Sequence, residues 1–259
     1  MSEMPRVVDL TEVRAACKSC SLFHLCLPMN ISNTDLELLD RIIKRRRPLK
    51  RGDHLFHMGD HFQSVYAVRS GSIKTYTATE DGQEQITGFH LPGELVGLDA
   101  ISDAKHPCGA KALESTSLCE LPFDQLEELG NRIHGLQHHL FRLMSKEILK
   151  DENMLMLLGK MTAEERLANF LLSISGRFKH RGFSATEFYL SMSRNDIGNY
   201  LGLAVETVSR LFTRFQDDGL LSVERKHILI HNLERLQEFA GKRTTFRSEL
   251  TESLSESKA

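Results

Sequence analysis

The 259-residue chain has no tryptophan, only four tyrosines and six prolines, and no apolar run near the length of about eighteen residues that a membrane-spanning helix requires. No membrane partner is expected. A basic start followed by an apolar stretch, the mark of a secretory leader, is not read in it either, so the expected compartment is the cytoplasm. Excess charge of one sign is also missing, since 33 lysines and arginines meet 35 aspartates and glutamates for a formal net charge of -2. Any nucleic-acid contact must therefore come from local patterning. An H-E-x-x-H pair, a nucleophile elbow and a phosphate-cradling glycine loop are absent, which removes common enzymatic signatures. His54, His57 and His61 lie close together without such an arrangement and read as surface histidines. An enzyme is not expected.

Cysteine is scarce, with five in the chain, yet three crowd into the run CKSCSLFHLCLP as Cys17, Cys20 and Cys26. Soft thiolates at this spacing point to a metal, because two sulfurs of a C-x-x-C unit reach one ion or cluster while the backbone turns between them. In a reducing compartment a structural disulfide is disfavoured. A fourth ligand must come from far along the chain, where Cys108 and Cys119 are both available. Spacing does not choose between them. The irregular C-x2-C-x5-C pattern fits an iron-sulfur cluster at least as well as a zinc ribbon, with its paired C-x2-C units. A zinc-stabilised, constitutive DNA-binding protein is the alternative.

The composition, 41% hydrophobic and 26% charged, is that of a globular chain with ample core, long enough for two domains. Residues 1–29 read as an arm, and 30–47 as a short amphipathic helix with Leu36, Leu39, Ile42 and Ile43 on its apolar face. From Pro48 to Phe123, β-branched and aromatic runs punctuated by glycine predict a β-barrel or roll. Helix returns after that, with a short segment, a break near Gly135 and a long segment rich in Leu and Met. The expected divisions are an arm (1–29), a β-roll (30–133), a dimerisation helix (134–160), a DNA-binding domain (161–240) and a polar, disordered tail (241–259).

In the long helix Phe141, Met144, Ile148, Leu155 and Leu158 fall on heptad a and d positions, with Asp151 in the sixth seam position. Such a seam suits two like helices side by side, and a homodimer is expected. Asp151 then faces its own copy, which makes the dimer marginal.

The segment SRNDIGNYLGLAVETVSRLFTRFQDDGLL reads as a helix-turn-helix. Ser193 and Asp196 form a capping-box pattern, Gly202-Leu203 makes the turn, and Val205, Val208, Leu211, Phe212 and Phe215 share one face of the second helix. Glu206, Ser209, Arg210 and Thr213 share the other, with Thr207 in the same VETVSR run. Glu206 has the chemistry to accept from cytosine N4, and Arg210 to donate twice to guanine O6 and N7. The following LLSVERKHILIHN reads as a β-hairpin wing. Lys226 at its tip, with Arg194 and Arg214 beside the recognition helix, are candidate phosphate contacts.

Taken together, CKSCSLFHLCLP, EQITGFHLPGELVGLDAI, LMSKEI, AEERLA and DIGNYLGLAVETVSRL resemble the fumarate-nitrate reductase regulators of the cyclic-AMP receptor superfamily, over nearly the whole chain. The resemblance implies an α+β protein: an N-terminal cyclic-nucleotide-binding-like β-roll, a long dimerisation helix and a C-terminal winged helix-turn-helix. It also implies a [4Fe-4S] cluster on Cys17, Cys20, Cys26 and Cys119, the last matched through LESTSLCELPF. Further implications are an oxygen-sensitive homodimer on double-stranded DNA, reading TTGAT-type half-sites, and recruitment of RNA polymerase. The hairpin EDGQEQ around Gly82 resembles the family's polymerase-activating surface. One departure is chemical. Gly93-Glu94-Leu95 is present, but the following DAISDAKHPCGAKALE lacks the arginine with which cyclic-nucleotide members grip the phosphate. Glu94 is therefore read as supporting the fold.

Overall fold

The computed structural model describes Cys17 and residues 20–27, 32–79 and 81–241; most of the expected arm and nearly all of the expected disordered tail lie outside these residues. Helix α1 spans Asn33–Ile42 and opens at Ser32, whose hydroxyl accepts from the Asp35 amide. Leu36 and Leu39 form its buried face.

The helix stops short of the expected residue 47. The backbone extends at Ile43, and Lys44–Arg45 form a short strand, β1. Like charges one turn apart weaken a helix, and the basic run KRRR finds better partners on a sheet edge. Strand β1 pairs with β8 (Ser117–Pro122), and the Arg46 guanidinium then forms an ion pair with buried Glu120.

Between these ends lie β2 (His54–Phe56), β3 (Ser64–Ser70), β4 (Ile73–Ala78), β5 (Glu84–His90), β6 (Leu95–Val96) and β7 (Gly109–Ala112). They form two four-stranded sheets, ordered β1-β8-β3-β6 and β2-β7-β4-β5, with antiparallel pairs throughout. Val65, Ala67, Leu95 and Leu121 from the first sheet pack with Leu39 of α1 and Leu27 of the arm. That core continues into α2 (Phe123–Arg132) and the start of α3 (His134–Lys160) through Leu126, Leu129 and Leu136. The break between these helices falls at Ile133 rather than at Gly135.

Helix α4 (Ala163–His180) opens on a capping box in which Thr162 and Glu165 satisfy each other's backbone amides. It is followed by β9 (Glu187–Tyr189), α5 (Arg194–Leu201), α6 (Val205–Asp217), β10 (Leu221–Glu224), β11 (His227–Ile230) and α7 (Leu233–Phe239). The expected hairpin wing, β10–β11, gains β9 as a third strand.

The roll and the carboxyl-terminal domain share a core. Phe89 lies with its ring centroid 5.0 Å from that of Tyr200 and 6.1 Å from that of Phe170. Polar contacts reinforce the junction: Lys74 pairs with Asp196 at 2.8 Å, and the Asn199 side chain accepts from the Ile86 amide at 2.5 Å and donates to the Glu84 carbonyl at 2.7 Å. Glu94, in the turn before β6, takes both Arg177 and Arg181, as its reading as a fold-supporting residue anticipates. Removing Glu94 would leave two guanidiniums without their counter-charge.

Candidate metal centre and nucleic-acid interface

The described part of the arm is a series of turns. The Cys20 amide donates to the Cys17 carbonyl at 3.1 Å, and the Cys26 amide to the Leu22 carbonyl at 3.1 Å. Two contacts anchor these turns to the fold: the Cys17 amide donates to Asp40 Oδ1 at 3.1 Å, and Leu27 is fully buried.

Cys17, Cys20 and Cys26 line one small cavity with Cys119 of β8, about 40 Å³ in volume and partly open to solvent. Leu22, Phe23, Leu39, Ala67 and Leu121 make most of the remaining wall, and Arg69 is the charged side chain in it. Cys108 lies elsewhere, buried among Phe56, Tyr66 and Val68, with its thiol donating to Asp99 Oδ2 at 3.1 Å. Burial and the Asp99 carboxylate push that thiol up and keep it protonated.

A bare thiolate is disfavoured in the cysteine-lined cavity as well. Burial pushes Cys17 and Cys26 up to about 12, with Asp40 adding to the effect at Cys17, and burial also raises Cys119. A cationic centre offsets that penalty by binding the thiolates directly. Among the described residues no three His, Cys, Asp or Glu side chains converge tightly enough to hold a single metal ion. Four soft sulfur donors around one apolar cavity have the chemistry to bind a thiophilic metal centre.

Helix α3 presents the seam residues unevenly. Phe141, Ile148 and Leu155 are 59, 60 and 72% exposed, and Met144 36%. Asp151 is exposed between Ile148 and Leu155. Leu158 instead packs half-buried against the carboxyl-terminal core. On the roll side of α3, Leu140 and Leu143 pack on the core that holds Leu27 of the arm.

The helix-turn-helix is built as its sequence predicts. Ser193 and Asp196 make a reciprocal capping box at the start of α5, and Gly202 ends that helix at φ 64°, a left-handed conformation that side chains disfavour. Gly198 is needed for closeness, because a Cβ there would stand 2.6 Å from the Leu203 carbonyl oxygen. In α6, Val208, Leu211, Phe212 and Phe215 are buried. Glu206, Ser209, Arg210 and Thr213 are exposed on one face, while Thr207 and Val205 are half-buried.

The expected phosphate contacts have partners of their own. The Arg194 guanidinium lies 3.3 Å over the Phe212 ring, and burial lowers its pKa to about 10. Arg214 forms an ion pair with Glu164, and the Lys226 ammonium donates to the Ser191 carbonyl at 2.9 Å beside the wing turn. Gly82 occupies the exposed β4–β5 turn at φ 80°. His54 bonds the Tyr76 hydroxyl at 3.1 Å, and His61 the Ala104 carbonyl at 2.8 Å.

Sequence reasoning did not single out Asp40, Arg166 or Asn199. Arg166 donates to the carbonyls of Leu158, Met161 and Leu201, tying the end of α3 to the end of α5. Its place in AEERLA was the available signal. Asn199 carried none, because its partners are backbone groups far away in the chain.

Residues 46–132 match the cyclic nucleotide-binding domain family, and residues 165–239 the Crp-like helix-turn-helix domain. The chain is 56% identical over 241 residues to the transcriptional activator protein anr of Pseudomonas aeruginosa, covering 93% of this chain and 98% of that relative. It is 52% identical over 225 residues to the fumarate and nitrate reduction regulatory protein of Escherichia coli, covering 87% and 90%. Among solved structures, FixK2 from Bradyrhizobium japonicum superposes with a TM-score of 0.71 at 31% identity, covering 76% of this chain and 97% of that one.

Proposed function

This chain belongs to the fumarate and nitrate reduction regulators of the Crp type, and from that premise we propose that it is an oxygen-responsive regulator that holds a [4Fe-4S] cluster and binds DNA as a cluster-dependent homodimer. It is a transcription regulator with a Crp-like DNA-binding helix-turn-helix, and not an enzyme. No helix among the described residues is long and apolar enough to cross a membrane.

One observation carries the sensing reading: Cys17, Cys20, Cys26 and Cys119 line the same apolar cavity, while Cys108 does not. These four residues would hold the cluster, which when bound supplies oxygen-labile redox chemistry. The protein's own part is mechanical. Thiolates from the arm and from β8 held at one centre tie the arm down on the core that Leu27 shares with Leu136, Leu140 and Leu143 of α3. A braced α3 offers Phe141, Met144, Ile148 and Leu155 to a second copy, and the pair sets two α6 helices on one face of a pseudo-palindrome. When oxygen removes the tie, the brace weakens and the dimer dissociates. By linkage, dimerisation and DNA binding favour the braced arm to the same degree.

In α6, Glu206, Ser209 and Arg210 read TTGAT-type half-sites, with Thr207 and Thr213 beside them, and Arg194, Arg214 and Lys226 serve phosphates. The β4–β5 turn around Gly82 meets RNA polymerase. The test is anaerobic reconstitution of Cys119→Ser and Cys108→Ser with iron and sulfide. Cys108→Ser should load as the parent does and Cys119→Ser should fail; the reverse order would overturn the ligand set.

A further inference from the structure

Glu94 stands at a crossing of the molecule. Both oxygens of its carboxylate are committed within the chain. Arg177 donates through Nε to Oε1 at 2.9 Å and through Nη2 to Oε2 at 2.5 Å, and Nη2 also reaches the Phe89 carbonyl at 2.6 Å. Arg181 donates through Nη2 to Oε1 at 2.5 Å and through Nε to the Pro92 carbonyl at 2.7 Å. The Leu91 amide adds a bond to Oε2 at 3.0 Å.

Both guanidiniums come from the last turn of α4 and its C-cap, in the DNA-binding domain, and every acceptor named belongs to the end of β5 or the β5–β6 turn of the roll. The Arg181 side chain is only 4% exposed. Planar forks that meet a carboxylate and two fixed carbonyls define an orientation as well as a distance, which an apolar contact or a flexible ammonium does not. The lock also lies beside the arm. A Cβ on Gly93, the preceding residue, would stand 2.9 Å from the Leu25 Cβ.

We propose that Glu94, Arg177 and Arg181 are positioning residues that fix the DNA-binding domain on the β-roll, and thereby set the half-site spacing the protein accepts. None of the three is proposed to touch DNA. In a twofold dimer, the separation and tilt of the two recognition helices follow from how each DNA-binding domain is seated on its own roll, so a loosened seat tolerates half-sites at the wrong spacing. This inference rests on the dimeric reading above.

The test uses the full-length chain, prepared without oxygen, as parent, Glu94→Gln and Arg177→Lys. Glu94→Gln leaves two cations uncompensated, whereas Arg177→Lys keeps the charge and loses only the fork, so it decides the matter if the first variant does not fold. Amide exchange is followed at Ile86, whose N–H is bonded across the same domain boundary by Asn199 and away from the lock. Binding is then measured to a single half-site, to the preferred palindrome and to palindromes with one base pair added or removed.

Faster Ile86 exchange, unchanged half-site binding and about a tenfold loss of discrimination between spacings are expected. Unchanged exchange in the folded variants overturns the lock. Faster exchange with the parent's spacing discrimination retained overturns its role in DNA choice. A parent that shows no preference for a palindrome contradicts the dimeric reading and the spacing role with it, and the exchange result then judges the lock alone.

Discussion

Arg45 lies opposite Cys119 in the antiparallel β1–β8 ladder, and its guanidinium reaches Asp40 at 3.7 Å. Asp40 is also the acceptor for the Cys17 amide. One carboxylate thus joins the arm that carries three of the proposed ligands to the strand paired with the fourth.

Asp40→Ala should therefore loosen the cysteine site without unfolding the roll. Groups that orient metal ligands from behind are worth about 10–100-fold in metal affinity, so cluster retention under a chelator should fall by at least about tenfold. Iron retained per chain after a timed challenge reads this out. Parent-like retention would contradict a bracing role for Asp40.

The α3 seam gives an opposed pair of variants. Two Asp151 carboxylates about 4 Å apart across a twofold axis repel by about 4 kcal/mol at an effective dielectric near 20. Burial and nearby Glu147 already push the Asp151 carboxyl up, which eases the repulsion by favouring a shared proton. Asp151→Ala should yield a dimer that persists in air, while Ile148→Glu should yield a monomer even when cluster-loaded. Sedimentation velocity distinguishes them, and an unchanged monomer fraction for both would sink the seam.

At the DNA, Arg210→Ala should cost about 1–3 kcal/mol and relax preference at one base pair of each half-site. Lys226→Ala should weaken all sequences alike and lower the salt slope by about one. Titrations at several salt concentrations separate the two, and a sequence-independent loss at Arg210 would remove it from the reading face.

Much of this architecture is local and was legible in the chain. The Ser193–Asp196 capping box, the turn at Gly202 and the two faces of α6 are short-range patterns, and the structure reproduces each. What escaped was settled by long-range partners. The helix expected to continue to residue 47 ends early because residues 44 and 45 meet β8, more than seventy residues away in the chain. Strand β9 forms only because β11 offers it an edge. Cys108 and Cys119 were equivalent by spacing, and the fold separates them by burying one beside Asp99 and setting the other in the cavity wall. Glu94 was legible as structural from the missing arginine downstream, but its partners in α4 were not.

Stability should fall with acid in a way that reports His90. Burial holds its imidazole neutral, lowering its pKa from 6.5 to about 4, while the unfolded chain takes up the proton near 6.5. Between those values the unfolded state binds more protons, so stability is full above 6.5 and is lost as the pH falls toward 4. The contribution is about 3 kcal/mol. His106 and His139 are lowered by burial too and act in the same direction. His90→Gln should flatten the curve of unfolding free energy against pH in this window; a parent-like slope would contradict the assignment.

The central claim is tested most directly by purifying the chain without oxygen, assaying iron, acid-labile sulfide and zinc, and measuring mass and DNA binding before and after air is admitted. Four irons and four sulfides per chain, in a DNA-binding dimer that dissociates in air, is the predicted result. Zinc in their place, with DNA binding that survives air, would leave a transcription regulator and contradict the sensor.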